Sequence, residues 1–212
     1  MLFRSIGARQ IDTGDCSGPK SARRVLANPT VSTAVLETAR GGILREGCGF
    51  DRCDVAVVTN IATGDHLGLD GIDTPERIAW VKGAIVAAVR QSGAAVLNAA
   101  DPLVVDMKKW CKGQVVYFGL DPAHAVIVEH LAQGGLAATV REGWIVLCDG
   151  PRETRLAHLD KVPLVHKGLV PFQVENALAA AAAAWRLGVP LELVRIGLRS
   201  EEHTSELQSR QY

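Results

Sequence analysis

At 212 residues the chain has length for one sizeable core or two small ones, and 48% apolar against 22% charged residues excludes a disordered chain. Lys plus Arg (23) balances Asp plus Glu (23), which excludes a general field for nucleic acid or an acidic membrane surface. No signal peptide pattern is evident, no apolar run is long enough to span a bilayer, and Cys16, Cys48, Cys53, Cys111 and Cys148 show no CxxC spacing; reduced thiols in a cytoplasm are expected.

Both ends break the patterns beside them. Met1–Ser5 (MLFRS) and Arg199–Tyr212 (RSEEHTSELQSRQY) resemble translated sequencing adapters, so the authentic segment is expected to run from Ile6 to Leu198. Thr13 to Pro19 reads as a turn-rich loop, with Ser21 placed to cap a helix over Ala22 to Ala27. Asn28-Pro29 breaks that helix. Val31 to Leu36 then reads as a short buried strand, followed by Glu37 and the Gly41-Gly42 pair.

In open α/β sheets, ligands gather at the carboxyl ends of the strands. A carboxylate there, followed by backbone without side chains, suits a metal ion and the phosphates it carries. It equally suits a strand-end glutamate capping a helix, and these residues alone leave both open. Gly42 to Arg45 is placed to start a short helix whose free N–H groups face the same edge.

Val55 to Ile61, VAVVTNI, is apolar without alternation, the mark of a parallel strand buried on both faces. It runs out into Asn60, Thr63, Gly64, Asp65 and His66. Thr74 to Gln91 is a periodic helix, with Thr74 as cap and Pro75 at its first position. Ala94 to Asn98 is a strand, Asp101-Pro102 opens a helix through Trp110, and Gln114 to Leu120 returns to strand. Such alternation predicts an α/β fold, a mostly parallel, doubly wound sheet.

After Ala125 the rhythm shortens. Ala125–Leu131, Leu136–Arg141, Trp144–Cys148 and Thr154–Leu159 read as a small antiparallel β-meander packed beside the main sheet. Phe172 to Leu187 is one long helix closed by Gly188 and Pro190, its alanines allowing close approach to a sheet. A last helix begins near Leu191.

Two side chains suggest chemistry. An imidazole such as His66 accepts a divalent metal or bonds a metal-bound phosphate oxygen, although a lone histidine is more often a plain loop residue. Lys82 falls near the edge of the buried stripe of Ile78, Val81, Ile85 and Val89, where an ammonium needs a partner or a route to water.

The strings LETARGGIL, TNIATGDHLGLDGIDT, VKGAIV, VLNAADP and PFQVENALAA together resemble the Mur ligase family, through nearly all of Ile6–Leu198. Within it the likeness is to the Mur-ligase-like module of the cyanophycin synthetases. The resemblance implies a Mur ligase central, ATP-binding domain over residues 6–198, cut at both ends. It implies an ATP-dependent amide-forming ligase that phosphorylates a carboxylate and lets an amine attack the acyl phosphate. Its cofactors would be ATP and Mg2+, its partners arginine and poly-aspartate (cyanophycin), with no nucleic acid and no membrane, in a full-length parent that is a homo-oligomer.

Carried over by position, Glu37 and His66 would neighbour magnesium, and Lys82 falls where many relatives carry a carbamylated lysine. Lys82 and His66 would serve catalysis, Gly41, Gly42 and Asp101 the nucleotide, and Asn176 the adenine. Two departures stand out: Phe172-Gln173 replaces the usual His-Asn, and the NADD-like string reads Asn98-Ala99-Ala100-Asp101. The family's glycine-rich phosphate loop, G-x-x-G-K-[ST], occurs nowhere in these 212 residues, so the piece alone is expected to be inactive. Folylpolyglutamate or muramyl-peptide ligases, and a non-catalytic nucleotide-binding module, are the rival readings. TGDCSGP and ETARGGILR favour the cyanophycin branch, and the set Glu37, His66 and Lys82 argues against pure binding.

Overall fold

Continuous apolar strands are stable only where a sheet is covered on both faces. A computed structural model, which describes residues 3–6, 9–13, 18–61 and 74–200, shows such a sheet. A hairpin, β1 (Phe3–Ile6) and β2 (Arg9–Thr13), stands apart from it, followed by helices α1 (Pro19–Leu26) and α2 (Arg40–Glu46). Then come β3 (Cys53–Val58), α3 (Pro75–Ala87), β4 (Val89–Asn98), α4 (Pro102–Asp106) and β5 (Gln114–Gly119). Helix α5 (Ala125–Ala132), strands β6 (Leu136–Arg141), β7 (Trp144–Asp149) and β8 (Arg152–His158), and helices α6 (Pro171–Arg186) and α7 (Leu191–Arg199) complete the order.

The six strands lie in sequence order, β3-β4-β5-β6-β7-β8. Those from β3 to β6 are parallel, and β7 runs antiparallel to both neighbours. Alternation within each strand divides the core in two. Ala94, Val96, Val116 and Phe118 face α6 and α7, while Ala95, Leu97 and Tyr117 face the side covered by α3, α4 and α5. The alanine run does what its size permits: Ala177, Ala179, Ala181 and Ala182 of α6 are all buried against the sheet.

The α/β architecture agrees with the sequence reading, and several local expectations are corrected, among them the helix expected from Thr74 to Gln91, which ends at Ala87 so that Val89–Gln91 already belong to β4. Ala125–Leu131 is helix α5, not a strand. Strands β5 and β6 are parallel neighbours, so the chain between them must cross back over the sheet, which a helix does and a meander strand cannot. The meander is therefore β6–β8 alone, and it continues the main sheet rather than packing beside it.

Val31 to Leu36 forms no strand: the stretch is irregular and Val35 is 94% exposed. Its apolar residues meet no ladder partner among the described residues, and β-propensity without a neighbour does not make a strand. The Asn28 side chain instead turns the chain locally, its Oδ1 accepting from the Thr30 N–H at 2.9 Å and hydroxyl at 2.8 Å. Ser21 is no cap either; Gly18 occupies that position, with Pro19 starting α1 and Ser21 buried in its first turn.

Candidate functional site

Because β3 and β4 are parallel, their carboxyl ends share one edge, with Val58 opposite Leu97. Beyond that point the backbone of Thr59–Ile61 has left the ladder, and its polar groups need other partners. Three side chains supply them. Asn98 Nδ2 donates to the Thr59 carbonyl at 2.9 Å, Lys82 Nζ donates to the Asn60 carbonyl at 3.4 Å, and the Ile61 N–H donates to Asp101 Oδ2 at 2.6 Å.

Lys82 is half-buried on α3, where Ile78, Val81 and Val86 face the core, so it stands at the margin of the buried face. Thr74 caps that helix by accepting from the Arg77 N–H at 3.3 Å, as its place before Pro75 predicts. Asp101 caps α4: its Oδ1 accepts from Leu103 N–H at 2.9 Å and Val104 N–H at 3.3 Å. Both oxygens of the carboxylate that the resemblance assigns to the nucleotide are thus engaged by backbone. Asn98 is 5% exposed and also accepts from the Ala100 N–H at 2.8 Å.

Gly41 and Gly42 lie in the first turn of α2, which packs on α3, on the same side of the sheet as Lys82. Gly42 is buried against Pro19, leaving no room there for a side chain. Glu37 is exposed, three residues before α2 begins. Asn176 belongs to α6 on the opposite face; its Nδ2 donates to Gln173 Oε1 at 3.1 Å, near Phe172, which is 60% exposed. His66 lies outside the described residues, as does Cys16. The fold therefore gathers Lys82, Asp101, Gly41 and Gly42 on one side of the sheet and sets Asn176 on the other.

Two features escaped sequence reasoning. The Asn60 carbonyl is a backbone group and carries no sequence signature. A cleft of about 300 Å³ between α1 and α2 is lined by Lys20, Ser21, Arg24, Gly41, Gly42 and Arg45. The i, i+4 spacing of Lys20 and Arg24 after a helix-starting proline was its one visible sign.

At the opposite edge, where β3 begins, burial and then Asp54 push the Cys53 thiol up to about 11, and burial raises Cys48 as well. Cys53 donates to the Ile85 carbonyl at 3.6 Å, and Arg90 pairs with Asp54 at 3.1 Å. Cys48, Cys53, Cys111 and Cys148 are free thiols. Among the described residues no three His, Cys, Asp or Glu side chains form a metal-binding group, and no helix is long and apolar enough to cross a membrane.

Comparison with known proteins gives the family. A family model described as the Mur ligase middle domain matches residues 3–184. A cyanophycin synthetase of Geminocystis herdmanii is 46% identical over 195 residues, 92% of this chain and 22% of that protein. One from Synechocystis is 45% identical over 196 residues, again 92% and 22%. The chain thus spans 22% of the length of these relatives. A UDP-N-acetylmuramoyl-L-alanyl-D-glutamate–2,6-diaminopimelate ligase of Halalkalibacterium halodurans is 33% identical over 175 residues, covering 79% of this chain and 32% of that one. Among solved structures, MurF from Acinetobacter baumannii aligns with 27% identity and a TM-score of 0.44, over 69% of this chain and 28% of that one. The chain belongs to the Mur ligase family, and what it carries is that family's middle domain.

Proposed function

We propose that this chain is the central, ATP-binding segment of a cyanophycin synthetase-like ligase, with residues 6–198 forming the domain. The longer protein joins arginine to the side-chain carboxyl of aspartate on a poly-aspartate backbone. The observation that carries the reading is Lys82, a half-buried cation whose head lies against the carboxyl edge of β3, in a chain 46% identical to a cyanophycin synthetase across 92% of its length.

A carboxylate oxygen takes the γ-phosphoryl group of ATP, giving an acyl phosphate and ADP. The amine then attacks the acyl carbon, phosphate departs with the bonding pair, and the nitrogen loses a proton to leave an amide. Lys82 stands where it can hold or orient the anionic groups at this edge, and the resemblance implies Asn176 as a contact to the base. The cleft is lined by Lys20, Arg24 and Arg45 against the one carboxylate of Glu46, which lies 4.0 Å from Lys20, and this excess of positive charge suits an anionic substrate chain.

Magnesium is compatible with these residues. The ion takes oxygen ligands, uses one or two carboxylates, and completes its shell with phosphates and water. Glu37 presents an exposed carboxylate for it, with His66 as the neighbour that the resemblance implies. Bound there, magnesium supplies neutralisation of the charge on the phosphoryl group in transfer. The 212 residues hold no G-x-x-G-K-[ST] string, so turnover of ATP by the chain alone is not expected.

In the full-length protein, Glu37→Gln keeps the shape of the side chain and removes its charge. Arginine-dependent turnover is expected to fall by about a hundredfold or more, the scale of several kcal/mol at the phosphoryl-transfer step. Turnover within a fewfold of wild type would leave Glu37 as an ordinary exposed carboxylate, since Ala39 and not Glu37 holds the cap position of α2. Replacing arginine by diaminopimelate as the amine separates this reading from the muramyl-peptide alternative.

A further inference from the structure

Asn60 is the middle residue of three, and both of its neighbours are held from the next strand and turn. Thr59 is fixed through its carbonyl by Asn98, and Ile61 through its N–H by Asp101, a residue forty positions away in the chain. Between these two anchors, the Asn60 carbonyl receives the Lys82 ammonium. We propose that Asn98 and Asp101 are positioning residues for Lys82, acting through Asn60.

The geometry asks more of both side chains than capping a turn. A helix cap needs one acceptor oxygen, which Asp101 Oδ1 already supplies to Leu103 and Val104. Its second oxygen is free to strap β3 to β4. Asn98 divides its amide the same way: the oxygen closes its own turn on Ala100, and the nitrogen reaches across to Thr59. It does so at 5% exposure, where a missing partner is costly. With both neighbours tied, the Asn60 carbonyl has little freedom to swing away. A lysine carries four rotatable bonds, so a fixed acceptor is what turns its head into a located charge.

This inference rests on the ligase reading, and its test separates the two. In the full-length protein, Asp101→Ser keeps a good cap for α4 but is too short to reach Ile61. It is expected to lower kcat by about tenfold to a hundredfold, the scale of a small misplacement, with the KM for ATP within twofold and the melting temperature close to wild type. Asn98→Ser, which likewise loses the reach to Thr59, gives the same pattern and stands in should Asp101→Ser fold poorly. The deciding measurement is the double variant. If Asp101 acts through Lys82, Asp101→Ser costs nothing more in the residual single-turnover rate of Lys82→Ala. Additive losses, an unchanged kcat, or a raised KM for ATP with normal kcat would each overturn the proposal. A fully active Lys82→Ala protein would instead remove the lysine from the site and with it the ligase reading of this edge.

Discussion

Gly83 of α3 packs on the edge of the Trp110 indole, so close that a Cβ at position 83 would overlap the ring carbons Cζ3 and Cε3. The contact explains a glycine in the middle of a thirteen-residue helix, where glycine ordinarily costs about 1 kcal/mol relative to alanine. It also presses α3, and so Lys82 one residue earlier, against the 3-10 turn Met107–Trp110 that follows α4.

Gly83→Ala is therefore expected to destabilise the chain by about 1–2 kcal/mol, overpacking outweighing the gain in propensity. Thermal unfolding should show this as a melting temperature lower by about 2–6 °C. In a Trp110→Ala background the clash is gone, and the same substitution should stabilise. A loss of equal size in both backgrounds would mean that the indole is not the obstacle.

Lys82 donates to a backbone carbonyl, that of Asn60, and two states of the side chain in the working enzyme, ammonium and carbamate, make opposite predictions. In the full-length protein Lys82→Ala is expected to abolish most turnover, and Lys82→Arg, which keeps a donor and the charge, to retain part of it. Added formate or acetate should not restore the Ala variant. Rescue by short carboxylates would identify the lysine as an anionic carbamate in the working enzyme. Near-wild-type turnover of Lys82→Ala would reduce it to a surface residue.

The Cys53 thiol is pushed up to about 11, first by burial and then by Asp54. Below the unfolded value of 9.0 the thiol is protonated in both states and folding is unaffected. As pH rises through 9.0 the unfolded chain loses the proton first, so the stability contributed by the buried thiol declines and is lost on passing about 11. Urea titrations at pH 8, 9.5 and 10.5 should show falling stability, and Cys53→Ser should flatten that slope. Alkylation of Cys53 at pH 8 is expected to be slow, because only about a thousandth of it is thiolate. Rapid labelling there would contradict the burial.

How far local pattern reaches is clear from particular segments. Val55–Ile61 and Ala94–Asn98 showed themselves as parallel strands because continuous apolar runs have no other comfortable home. The long helix was legible from alanine content and its Gly188 stop, and Thr74-Pro75 marked the start of α3. Glu37, Lys82 and Asn176 could be singled out by motif alone, with the family that those motifs share.

Ala125–Leu131 and Val31–Leu36 could not be read so, since β-branched apolar residues have the same local preference in both. One became a helix because parallel β5 and β6 demand a crossover, and the other stayed irregular because no described strand lies beside it. The strap from Asp101 to Ile61 joins residues forty apart, and the acceptor of Lys82 is a backbone oxygen that any residue at position 60 would present. Periodicity sets which elements form, because it is a property of neighbours in the chain. Which groups meet at the sheet edge was decided by the packing of α3, β3 and β4, because those contacts exist only once the strands are side by side.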